Sequence, residues 1–109
     1  MPELTNLHNE AMNLAEKALR MEGDEALKLK REVFKKEKRV ALALLDEPEP
    51  LRSIMLRSTA TLAIRAQEPE EAENLIKEAL KGNPCEGMKL ELEDLLTDAQ
   101  NIAIQKQAK

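Results

Sequence analysis

Apolar residues in this chain return every three or four positions, and wherever that period lapses a proline or a glycine stands. Such a pattern admits amphipathic helices and little else. Leu4, Leu7, Ala11, Leu14, Ala15 and Ala18 share one helical face, which predicts a first helix over residues 3–21, with Pro2 suited to its opening turn. Glu22-Gly23-Asp24 then offers a glycine stop and an aspartate cap. A second helix over 25–45 carries Ala26, Leu29, Val33, Val40 and Leu44 inward. In Asp46-Glu47-Pro48-Glu49-Pro50 each proline disfavours helical geometry at the residue before it, so residues 46–50 read as a stiff elbow.

The third segment, 51–67, is apolar on two sides. Leu51, Ile54, Met55 and Leu62 line one, and Leu56, Ala60, Ala63 and Ile64 the other. A helix of that kind needs cover on both sides and belongs at the centre. Pro69 opens a fourth helix with Ala72, Leu75, Ile76, Ala79 and Leu80 as its stripe. Lys81-Gly82 should close it with a cation and a left-handed glycine. Asn83-Pro84 reads as the cap and first residue of a fifth helix running to residue 107, with Met88, Leu92, Leu95, Leu96, Ala99, Ile102 and Ala103 inside. The expected class is all-α, a stack of five antiparallel helices.

Composition supports that class. Phe34 is the single aromatic among 109 residues, and there are three glycines. A sandwich or barrel needs richer β-formers and more turns, and single-stranded nucleic-acid binders need stacking platforms that are missing here. Charged residues make up 35% of the chain beside 42% hydrophobic ones, which suits long solvated helical faces around a real core. The net charge of −4 is spread evenly over both halves, without a charged tail. One cysteine, Cys85, permits no internal disulfide. Met1-Pro2-Glu3-Leu4-Thr5 carries neither a basic leader nor an apolar run, and no stretch approaches the ~20 apolar residues of a membrane span. These features predict a soluble cytoplasmic protein of one domain, residues 1–109.

Residues 53–84 resemble one tetratricopeptide repeat. Leu56 occupies the first large position, Ala60 the small one, and Ala72 and Ala79 the two alanines of the second helix. Ile76 lies between them and Pro84 matches the closing proline. The family's aromatic on the first helix is replaced by Ala63, and its turn glycine by Gln67. Small residues at these places let two helices pack closely. The resemblance implies a right-handed stack: an N-terminal hairpin over 3–45, the elbow over 46–50, a tetratricopeptide-like hairpin over 51–84 and a capping helix over 84–107. Residues 51–84 and the following Glu91-Leu92-Glu93-Asp94-Leu95-Leu96 also resemble small uncharacterised bacterial proteins, which imply no activity.

Chemistry is scarce. His8 is the one histidine, so histidine metal clusters and Glu-x-x-His di-iron pairs are excluded; it reads as a structural, partly buried histidine. Cys85, at a helix start, has no second thiol to resolve an oxidised state, which leaves an enzyme dependent on Cys85 as a minor reading. The acids near 68–73 and 91–98 suit first-turn and solvated positions. The sequence predicts no catalytic residue, no cofactor and no metal.

Two basic features and one apolar pair remain. Lys28, Arg31, Lys35, Lys38 and Arg39 share the outer face of helix two, where Glu32 is expected to pair with Lys28 and Lys36. Arg57 and Arg65 interrupt helix three, and either pair internally or line a groove suited to an acidic partner. Leu90 and Ile104, two heptads apart on the outer face of helix five, predict a seam for a homodimer. The expectation is a non-catalytic protein–protein interaction or scaffold module with an unknown protein partner and no membrane association. The alternative is a small nucleic-acid-associated regulator whose phosphate contacts are Lys28, Arg31, Lys35, Lys38 and Arg39.

Overall fold

Each of the five apolar segments forms a helix, and the short links between them turn successive helices back on one another. A computed structural model describes residues 2–108. Its helices are α1 (Pro2–Leu19), α2 (Gly23–Ala43), α3 (Leu51–Arg65), α4 (Pro69–Leu80) and α5 (Glu86–Gln107). No strand occurs among the described residues. Each helix packs on its sequence neighbours, and α3 also meets α5. The short dimension of 18 Å is about two helix diameters.

Alanine makes the close packing possible. The main core joins Phe34 and Ala41 of α2 to Leu56, Ala60 and Ala63 of α3, Ala72, Leu75, Ile76 and Ala79 of α4, and Leu92 and Ala99 of α5. Most of these side chains are a single methyl, so the helix backbones come near each other and little volume is left for larger groups. The central place expected for α3 is observed, since it touches α2, α4 and α5. Its two-sided burial is not. Leu56, Ala60 and Ala63 are buried, whereas Met55 and Leu62 are half-covered and Leu51 and Ile54 exposed. The buried face is also less apolar than expected, because it includes Ser53 and Thr59. Their hydroxyls are satisfied locally: Thr59 Oγ1 donates to the Met55 carbonyl at 2.8 Å, and Ser53 Oγ to Glu49 at 2.8 Å.

Helix ends differ from the sequence expectation where backbone geometry overrides side-chain preference. The first helix stops at Leu19, two residues early, and the second ends at Ala43. Asp24 is not the cap of α2; Gly23, at φ +70°, already begins the helix behind Glu22. Asn83 and Pro84 precede α5, whose N-cap is Cys85. The Gly82 expectation fails as well, because that residue does not adopt positive φ. The left-handed residue is Gln67, at φ 59°. It closes α3 with two backbone bonds, Gln67 N–H to the Ile64 carbonyl at 3.0 Å and Glu68 N–H to the Ala63 carbonyl at 2.9 Å. That pair is the Schellman closure, in which glycine normally stands.

Glycine at position 82 serves space instead. A Cβ there would lie 2.5 Å from Nη1 of Arg52. Arg52 fastens the elbow to the end of α4: Nε donates to the Leu45 carbonyl at 3.1 Å, and Nη2 to the carbonyl and carboxylate of Glu78, both at 3.1 Å. Beside it, Glu49 Oε1 accepts the Ser53 N–H at 3.0 Å and Glu49 Oε2 the Asn83 N–H at 3.1 Å. One carboxylate thereby caps the start of α3 and reaches the turn before α5.

Two outcomes follow from these joints. Gln67→Gly relieves a left-handed backbone that costs a side-chain-bearing residue about 1 kcal/mol, so thermal unfolding should shift upward by a few degrees; a lower midpoint would mean the glutamine side chain contributes more than its backbone strain. The Ser53 hydroxyl, then the Ser53 and Asn83 N–H groups and the Arg52 guanidinium, hold the Glu49 carboxyl below its ordinary range despite partial burial. A depressed carboxyl stabilises the fold above the unfolded pKa and loses that contribution as pH falls through the folded one. Denaturant titrations should therefore find wild type more stable than Glu49→Gln at neutral pH, with the gap closing below about pH 4. A gap independent of pH would show that the charge is not what matters.

Candidate functional site

The pairing of helices leaves one joint incomplete. α1 packs on α2 alone among the described helices, so the second apolar side of α3 faces a groove of about 650 Å³ between the α1–α2 hairpin on one side and α3 with α5 on the other. Met12, Met55, Leu62 and Leu95 make its apolar surface. The groove continues into a slot of about 300 Å³ lined by Met12, Ala15, Ala18, Leu19, Val33 and Leu62. Leu19, at the far end, is 85% exposed. An apolar surface of this kind, rimmed by charge, is the usual form of a docking site.

The walls carry organised charge. Glu37 of α2, with its side chain only 4% exposed, accepts from His8 Nδ1 at 2.9 Å, while the imidazole remains 46% exposed. The carboxylate fixes the proton on Nδ1 and leaves Nε2 free. His8 is thus more open than the sequence suggests. Glu37 escaped the sequence reading altogether, although its place between Val33 and Val40 on the buried stripe is a usable signal. Arg57 of α3 lines the groove and also reaches Glu91 of α5 at 2.6 Å, so it combines the two alternatives that the sequence leaves open. Arg65 does not pair. It stands exposed at the slot, without an ion pair or hydrogen bond among the described residues.

The basic residues of α2 divide in the same way. Arg31 lies 3.4 Å from Glu68 and donates to the Ala66 carbonyl at 3.3 Å. Lys38 meets Glu71 at 2.6 Å. These two side chains therefore tie α2 to the start of α4, and of the five only Lys28, Lys35 and Arg39 stand exposed without a described partner. Lys36 pairs with Glu10 of α1 at 3.3 Å in place of the Glu32 contact expected within the helix. Leu90 and Ile104 are 62% and 63% exposed on the outer side of α5, away from the groove. Cys85 is exposed and free. Among the described residues no cluster of three metal-ligating side chains forms, and no helix is long and apolar enough to cross a membrane. No protein-family model matches the chain, and no curated protein or solved structure matches it either.

The two kinds of α2 lysine are separable by stability. Lys38→Glu puts two carboxylates together at the α2–α4 contact and should lower stability by about 0.5–1 kcal/mol. Lys35→Glu, on the free face, should leave the melting temperature unchanged. Equal losses for both would show that the whole face is packed.

Proposed function

We propose that this protein is a non-catalytic docking module that receives a segment of a partner protein in the groove between α1 and α3. The observation that carries the reading is the half-covered side of α3: Met55 and Leu62, with Met12 opposite, form an apolar surface that the fold itself buries only in part. Exposed apolar surface framed by charge gains most from a protein segment that brings its own apolar face. Within this proposal the helices form a tetratricopeptide-like right-handed stack, with α5 as the capping helix. Support for that likeness comes from Ala60, Ala72 and Ala79, all fully buried, and from the left-handed Gln67 at the family's turn-glycine position.

The nucleic-acid alternative is disfavoured by the same geometry, because Arg31 and Lys38 are taken up by Glu68 and Glu71. Three remaining cations make a weak phosphate surface. A photo-crosslinking side chain at Ser58, in the groove, or at Lys28, on the outer face of α2, distinguishes the readings inside the native cell. Protease-sensitive, nuclease-resistant adducts from position 58 alone are the expected result. Nuclease-sensitive adducts from position 28 would replace this reading with the alternative.

A further inference from the structure

The charges around the groove fall into two sets. Beside the N-terminal half of α3 they satisfy one another: Arg57 with Glu91, and Glu37 with His8. At the other end, Lys30 and Arg65 share the walls of the 300 Å³ slot. Neither cation has a partner among the described residues. Asp94 of α5, on the wall of the larger part of the groove, is likewise without one. Lys30 lies on the slot alone, Arg65 where slot and groove meet, and Asp94 on the larger part alone, so the open charge runs from cationic in the slot toward a carboxylate in the larger part.

Helix direction points the same way. The α1 and α3 C-termini, at Leu19 and Arg65, both flank the cationic slot. Helix C-termini carry partial negative charge and favour the N-terminus of a neighbour beside them. An extended peptide would find no backbone partner along these walls, since helices have no free backbone edge along their length to pair with it. A helical occupant needs none.

We propose that the occupant of the groove is one amphipathic helix lying antiparallel to α1 and α3. Carboxylates of its first turn meet Lys30 and Arg65, its aliphatic face covers Met12 and Leu62, and a basic residue in a later turn meets Asp94. The inference rests on the docking reading above and adds the partner's chemistry and its direction.

The probe is a fluorescein-labelled, end-capped peptide of about 16 residues, roughly the length of the groove-lining helices. It carries glutamates in its first turn, leucines along one face and lysines in its last turn. A second peptide has the glutamates and lysines exchanged. Anisotropy titration should give at least about fivefold tighter binding for the first peptide, as the three solvent-facing ion pairs together supply. Lys30→Glu/Arg65→Glu, folded as judged by circular dichroism, should reverse the preference. A nitroxide on the first residue of the bound peptide should broaden the Leu19 methyl resonances and spare Met55. Broadening of Met55 instead overturns the direction. Equal affinity for both peptides, unchanged in the double variant, overturns the proposed chemistry and leaves the docking reading standing. Binding of neither peptide overturns a helical occupant, and the Ser58 cross-link then decides the docking reading by itself.

Discussion

The elbow between α2 and α3 sets the angle between the two hairpins, and the groove depends on that angle. Arg52 holds it with three hydrogen bonds to the Leu45 carbonyl and to Glu78, and Glu49 holds it from the other side through Ser53 and Asn83. These contacts join three places distant in sequence: the end of α2, the start of α3 and the turn between α4 and α5. A rotation at this joint would move α1 and α2 together, because α1 has no other helix to rest on. Hydrogen bonds to charged groups contribute about 1.5–3 kcal/mol each when well shielded, enough for a few of them to fix an angle that apolar packing leaves loose.

Alanine is what lets so short a joint govern the rest. With Ala60, Ala63, Ala72 and Ala79 buried in the core between α3 and α4, small side chains leave the two helices room to approach closely. Bulkier side chains would push α4 outward and carry Glu78 away from Arg52. Gly82 belongs to the same economy of space, since any side chain there meets the Arg52 guanidinium. Packing and polar bonding therefore act on the same few ångströms.

The sequence made the helices legible because their period and their proline and glycine breaks are local signals. The alanine stripe of α4 was legible for the same reason. Helix ends were not, because Gly23 and Gln67 take left-handed backbone conformations that close or open a helix at positions the side-chain pattern does not mark. Gln67 is instructive: a position where glycine is expected holds a side chain, and the backbone adopts the left-handed form regardless. The groove was half legible. The two-sided apolar character of α3 was plain, but amphipathicity alone states that a face wants cover and not whether the fold supplies it. The pairings of Arg57, Arg31 and Lys38, like the burial of Glu37, needed tertiary distances that spacing along one helix does not contain.

That the groove stays open has a physical reason in its own walls. Swinging α1 onto α3 would bury Met12, Met55 and Leu62 more fully, worth on the order of 1–2 kcal/mol for each side chain. The same movement would draw two cations, Lys30 and Arg65, out of water against Asp94 as the one open carboxylate on the walls, and an unpaired charge costs several kcal/mol to bury. Glu16 stands in the slot as well, but it already pairs with Arg20 at 2.9 Å along the exposed side of α1. The apolar gain is thus matched by an electrostatic penalty that the chain cannot remove by itself. A segment arriving with its own carboxylates removes that penalty and keeps the gain, so the charges that hold the groove open are also the ones that select what closes it.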